Sequence, residues 1–235
     1  MKSIYEFLLD EHLLGEHLLN EHLLKSKTVS SMQDIDCVDL GLPSGLLWAK
    51  CNIGAKTPTD YGDYFMWGST EPNTNDECAW GNAPFNDGRA NYSGSYFKTI
   101  ENKVCKNGNL IPEYDAAAVI LGDEWRMPTK TDFRELMDNT KHEWIKNYNN
   151  SGVNGMLFTS KINNAELFIP AAGYRNKLNI EAKNAIGAMW CSSLNVNIHY
   201  YAWGICFGAY YCDLCYTNNT NTRSGGLSIR AVKES

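Results

Sequence analysis

The chain has no excess of positive charge: 21 Lys and Arg stand against 27 Asp and Glu, for a net charge of −6 over 235 residues. Binding nucleic acid requires clustered cations that displace counterions from phosphates, so the composition excludes nucleic acid as the main partner. There is also no apolar run near the roughly twenty residues that a membrane helix needs. The first thirty residues carry Glu6, Asp10, Glu11, Glu16 and Glu21, which an export signal's apolar centre does not tolerate, and no lipobox cysteine follows. The eight cysteines lack the dense spacing of a disulfide-stapled secreted module, so reduced thiols are the expectation.

What is present is an ordinary apolar content of 43% together with seven Trp and thirteen Tyr. That composition supports a real core and, through its amphipathic aromatics, recognition.

The N-terminus repeats every five residues, as in His12-Leu13-Leu14-Gly15-Glu16 and His17-Leu18-Leu19-Asn20-Glu21. On a helix a five-residue step turns about 140°, so the Leu pairs spiral around the circumference instead of forming a stripe. Two readings fit: a loosely ordered tail, or an assembly helix buried among its own copies or against a larger particle. His12 and His17 are five apart, one too many for two metal ligands on one helical face, so no metal is assigned. Residues 1–33 are read as this helical tail and linker, and 34–235 as the main domain.

Within that domain short strands are expected at 37–40, 46–52, 62–67, 155–159, 166–169, 189–193, 201–207 and 227–232. The stretch 71–109, rich in Asn, Gly, Pro and Asp, reads as a long ordered loop region. Two helices are expected. One runs over Ala116–Leu121, after Pro112 and before Gly122. The other follows Thr129, with Asp132 completing a capping box and Phe133, Leu136 and Met137 forming its apolar face. Strands and helices do not alternate, which excludes a doubly wound parallel sheet and leaves an α+β fold of small mixed sheets.

A second absence is local. From Cys191 to Val232 no Lys, Glu, Gln or Met occurs, although residues 1–190 hold 35 of them. At that frequency about eight would be expected in such a window, and none on the order of once in several thousand windows. In their place stand Asn195, Asn197, His199, Tyr200, Gly204, Cys206, Tyr210, Tyr211, Asp213, Cys215, Thr217, Asn218 and Asn221. Randomising the adenines of an Asn codon yields Asn, Tyr, His, Asp, Cys, Ser, Gly, Thr and Ile, and never Lys, Glu, Gln, Met or Trp. The bias therefore fits adenine-directed mutagenesis over about 188–222. It also suits contact chemistry, since Tyr gives rigid area while Ser, Gly and Asn give adaptable hydrogen bonds. These residues are the candidate ligand surface. A Tyr/Asn-rich β structure with no partner is the competing reading.

Val38-Asp39-Leu40-Gly41-Leu42-Pro43-Ser44-Gly45, Tyr61-Gly62-Asp63-Tyr64-Phe65-Met66-Trp67-Gly68, Trp125-Arg126-Met127-Pro128-Thr129, Pro170-Ala171-Ala172-Gly173-Tyr174-Arg175, Trp190-Cys191-Ser192-Ser193 and Ser228-Ile229-Arg230 together resemble the Fibrobacter succinogenes major paralogous domain family. The resemblance implies a C-type-lectin-like fold and, for some members, the variable protein of a diversity-generating retroelement, whose reverse transcriptase rewrites the gene's 3′ end. It implies that Trp190, Ser192, Ala202, Trp203, Phe207 and Arg230 form the frame, and that varied side chains share one exposed face. Cys191 departs from the small residue expected there and reads as a varied position itself.

The expected function is then non-enzymatic binding of a bacterial cell-surface glycan or protein. The protein would act as a receptor-binding protein or adhesin on a phage tail tip or cell surface, with residues 1–30 serving oligomerisation or attachment. A fixed-specificity adhesin and a structural particle subunit are the rivals. No cofactor, metal or catalytic residue is assigned. Glu71-Pro72-Asn73 reads as a turn and not a calcium motif, because a Trp-Asn-Asp partner downstream is missing. Cys212-x-x-Cys215 lacks the second pair of a zinc site. The fold also carries formylglycine-generating enzymes, yet cysteines inside a randomised segment cannot hold a catalytic role.

Overall fold

The computed structural model describes residues 35–73, 78–79, 82–85, 103–198, 200–215 and 222–235. The chain divides into two units, 1–35 and 36–235. The pentad repeats, most of the 71–109 stretch, and His199, Thr217, Asn218 and Asn221 lie outside the described residues.

The second unit is a mixed α+β fold dominated by small antiparallel sheets. In chain order its strands are β1 (Cys37–Asp39), β2 (Leu47–Ala49), β3 (Cys105–Lys106), β4 (Asn109–Leu110), β5 (Trp125–Arg126), β6 (Thr140–Ile145), β7 (Gly155–Ser160), β8 (Glu166–Pro170), β9 (Tyr174–Asn176), β10 (Asn179–Glu181), β11 (Gly187–Leu194), β12 (Ala202–Gly208), β13 (Tyr211–Cys215) and β14 (Val232–Lys233). The helices α1 (Ala116–Leu121) and α2 (Lys130–Asn139) separate β4 from β6. Among the described residues the sheet orders are β1-β2-β14-β5, β6-β7-β8, β10-β9 and β13-β12-β11-β4-β3.

Both helices start where side-chain chemistry starts them. Asp115 accepts the backbone N–H groups of Ala117 and Ala118 at 2.9 and 3.2 Å, and its carboxylate also accepts that of Met127. Burial raises the Asp115 pKa, and the same three N–H groups pull it back. In α2 the reciprocal capping box is complete: Thr129 Oγ1 accepts from the Asp132 N–H at 3.2 Å, and Asp132 Oδ2 accepts from the Thr129 N–H at 2.7 Å. Arg126 anchors the same carboxylate at 2.6 Å. Phe133, Leu136 and Met137 then enter the main core with Trp48, Phe158, Ile169, Met189, Cys191, Ile205 and Phe207.

The expected strands at 62–67 and 227–232 are not strands along their length. Phe65 bridges Leu227, Met189 bridges Ser228, and only Val232 and Lys233 pair as a strand. These segments are apolar because they pass through the interior, not because they line a ladder. Their side chains reach across it: Trp190 Nε1 donates to the Phe65 carbonyl at 2.7 Å, and Trp67 Nε1 donates to the Cys191 carbonyl at 2.9 Å. Covered in this way, β11 is buried along all eight of its residues.

The Arg230 side chain is wholly buried. Its Nε donates to Asn52 Oδ1 at 3.0 Å, and its guanidinium nitrogens donate to the carbonyls of Ala49, Lys50 and Phe168. Burial lowers its pKa to about 9, which still leaves it charged at neutral pH. One cation thus ties β2, β8 and the C-terminal segment together.

Candidate functional site: the β12–β13 hairpin and its flanking clefts

Register decides what each side of the hairpin presents. Ile205 pairs with Leu214 and Phe207 with Cys212, so these residues, with Trp203, lie on the side packed against the main core. Gly204, Cys206 and Gly208 pair with Cys215, Asp213 and Tyr211, and all of these lie on the other side. Small residues on β12 keep that side low, and the β13 side chains stand over it. A Cβ on Gly208 would come within 2.9 Å of the Tyr211 ring, so the tyrosine rests on bare backbone there.

The expected ligand surface divides. Asn197, Tyr210, Tyr211 and Asp213 are exposed, with Tyr210 at 99% and Tyr211 at 47%. Tyr200 and Cys215 are half-buried. Asn195, Gly204 and Cys206 are buried, so a surface role for them is corrected. Asn195 instead folds the chain, because its Oδ1 accepts the N–H groups of Asn197 and Ile198 at 3.0 and 3.1 Å in a side-chain-closed turn. Cys191, read as a varied position, is a core residue whose thiol burial pushes far up in pKa.

The expectation of reduced thiols is also corrected, for one pair. Cys206 and Cys215 are joined in a disulfide, their Cα atoms 6.0 Å apart. Nine residues separate them in sequence, but the hairpin sets them diagonally across two paired strands, a proximity that linear spacing does not reveal. Cys212 faces the opposite side and is free, and burial, aided by the nearby Asp213 carboxylate, raises its pKa to about 12.

Of the residues read as frame, Trp190, Ser192, Ala202, Phe207 and Arg230 are buried. Trp203 is half-buried, with Lys130 Nζ 5.0 Å from its ring centroid. Asn73 of the Glu71-Pro72-Asn73 sequence is structural: its Oδ1 accepts the Met66 N–H at 2.7 Å and its own N–H donates to the Tyr64 carbonyl. Among the described residues no group of three His, Cys, Asp or Glu is placed to hold a metal ion, and no helix is long and apolar enough to cross a membrane.

Two hollows flank the hairpin. One, of about 310 Å³, lies between the start of α2, the β3–β4 turn and the end of β11, with Thr131, Ser193, Asn195 and Trp203 in its wall. The other, of about 340 Å³, lies between the β6–β7 sheet and the β12–β13 turn, where His142 and Trp144 face Tyr210 and Tyr211. Residues such as Lys130, Thr131, Asn109 and Trp144 carry no signal in the sequence that would assign them to a site. The capping box foretold the helix start, but not that its first turn would form a wall of the cleft. Comparison of the chain with protein-family models, with curated proteins and with solved structures returned no match.

Proposed function

We propose that this chain is a non-enzymatic ligand-binding protein of C-type-lectin-like fold, diversified by a retroelement. Its Tyr- and Asn-bearing hairpin surface would bind a glycan or protein on a bacterial cell. The carrying observation is the split within residues 191–232. This segment lacks Lys, Glu, Gln and Met, and its Asn197, Tyr210, Tyr211 and Asp213 stand exposed while β11, two strands from β13 in the same sheet, is wholly buried. A face that can change without disturbing what lies beneath it is what a replaceable recognition surface requires. Exposed tyrosines supply rigid contact area at low entropic cost.

Two further observations support the reading. Burial displaces the thiol pKa values of Cys51, Cys191 and Cys212 upward, whereas a nucleophilic cysteine needs a lowered one. The Cys206–Cys215 disulfide suits an oxidising exterior, a phage particle or a cell surface. Residues 1–30 would supply attachment or copy number, and with it avidity. Light scattering of the intact chain against one lacking residues 1–30 tests that role, an unchanged monomer counting against it.

Deep sequencing of the gene's 3′ end in a population, read against any nearby near-repeat, tests the retroelement. Substitutions confined to template adenines within codons 188–222, and sparing those of Trp190 and Phe207, are expected. An invariant 3′ end with no template would leave a fixed-specificity adhesin or a structural subunit.

A further inference from the structure

β13 is the last strand of its sheet, and the ladder fixes which way its backbone points. The Trp190 N–H donates to the Ser228 carbonyl at 3.1 Å, away from β12, so Trp190 and Gly204 form a pair without hydrogen bonds. Bonded and unbonded pairs alternate along an antiparallel ladder. Ile205 and Phe207 therefore bond to β11, while Gly204, Cys206 and Gly208 turn their backbone groups to Cys215, Asp213 and Tyr211. That leaves Cys212 and Leu214 pointing out of the sheet. The Leu214 N–H agrees, since the Asp213 carboxylate takes it at 2.7 Å. Among the described residues, the N–H and carbonyl of Cys212 and the carbonyl of Leu214 have no partner.

An open edge usually carries charges or proline that discourage a further strand. Among the described residues three edge strands have five residues or more, β6, β8 and β13. β6 carries Lys141 and Glu143, and β8 carries Glu166 and Pro170. β13 has only Asp213, whose carboxylate is engaged by Arg134 at 3.4 Å and by the Leu214 N–H. The hollow of about 340 Å³ borders the turn end of this strand, and no Asp, Glu, Lys or Arg lines it. Trp144 and Met156, beside Cys212, offer an aromatic side chain a ring and a thioether to rest on.

We propose that the outer edge of β13 takes an extended segment of a protein partner as a further strand, with an aromatic side chain of that segment in the hollow. Backbone donors and acceptors at strand spacing are matched by another main chain. Charge selects the occupant. The chain carries a net charge of −6, which favours a neutral or basic segment over a second copy of itself, and centred pairing of two copies would set Asp213 against Asp213. Side chains do not make these bonds, so replacing Tyr211 or Asp213 changes which segment is chosen and not how it is held. The inference rests on the ligand-binding reading above and narrows its partner to a protein.

The test selects binders for the full chain from a display library of short random peptides. Each selected peptide is then synthesised with a single backbone N-methyl group at successive positions. Methylation of every second residue should weaken micromolar binding about tenfold or more, with the residues between tolerating it, because only alternate N–H groups face β13. The Cys212 amide should exchange its hydrogen about tenfold more slowly in the complex. Failure to select any peptide, uniform tolerance of methylation, or unchanged Cys212 exchange would overturn the edge. Trp144→Ala, which lies outside the biased segment, should weaken the same peptides about fivefold or more, and equal affinity would take the hollow out of the site. Attachment of the full chain to bacterial strains, shaved with protease or oxidised with periodate, is measured alongside. Attachment lost on shaving and kept after periodate is expected. The reverse would leave the ligand-binding reading standing and overturn the protein partner, whereas attachment to no strain while peptides pair with β13 would keep the edge and remove the bacterial ligand.

Discussion

β11 and β13 flank β12 in the same sheet, and the two strands are built on opposite terms. β11 is buried on both sides, with Met189 and Cys191 in the main core and Trp190 bonded to the Phe65 carbonyl. β13 has one committed side, where Cys212 and Leu214 meet the core, and one open side, where Tyr211 and Asp213 meet solvent. A sheet can thus hold a fixed strand and a replaceable one about 10 Å apart, because alternate side chains on a strand answer to different surroundings. Substitution is tolerated where a side chain has no neighbours to satisfy.

The largest expected effect comes from breaking the frame at its buried cation. Arg230→Met strands Asn52 Oδ1 and the carbonyls of Ala49, Lys50 and Phe168. A loss of about 3–5 kcal/mol is expected, lowering the thermal midpoint by about 10 °C or more; calorimetry showing less than about 1 kcal/mol would remove Arg230 from the frame. Next comes Gly187→Ala in β11, where a Cβ would lie 1.9 Å from the tip of the Phe207 ring. Overpacking of that kind costs about 1–3 kcal/mol, read as a lowered denaturation midpoint with an unchanged slope.

The two sides of β13 can then be compared through their thiols. A pKa raised to about 12 keeps Cys212 protonated, so at pH 8 on the order of one molecule in ten thousand carries the thiolate. Alkylation of Cys212 in the native protein should accelerate about tenfold per pH unit between pH 8 and 11, whereas the denatured chain should react readily at pH 8. Fast native labelling at pH 8 would mean that the inner side of β13 is open. The smallest effect on stability is expected at Tyr210→Ala, within about 0.5 kcal/mol, because the 99% exposed ring packs against almost nothing.

How far the sequence foretold this follows the same division. Both helices were legible from local signals, Pro112 and Gly122 bracketing α1 and the Thr129–Asp132 box opening α2, although the cap that starts α1 is Asp115 and Pro112 opens a separate turn before it. The pairing of β11 with β12 is known only from the fold, although both were legible as strands from their apolar runs. β6 was not, because Thr140 turns α2 directly into a strand, and its Lys141, His142 and Glu143 face solvent. β13 was hidden for a similar reason, since Tyr-Cys-Asp-Leu-Cys alternates weakly and its pairing is set by β12. The segments at 62–67 and 227–232 misled in the other direction, since burial alone gives the same apolar run as a strand. For the site, composition marked the segment, but which residues reach the surface depended on register. That is why Asn195 proved to be a turn residue and Cys206 half of a disulfide.

The most direct test of a replaceable face on a fixed frame is made with one variant. Asn197, Tyr210, Tyr211 and Asp213 are changed together to Ser, and attachment to bacterial cells is measured for protein shown by its thermal midpoint to be folded. The account predicts loss of attachment at a cost below about 2 kcal/mol in stability, since all four side chains are exposed. Attachment equal to the parent's, with the fold intact, would contradict it.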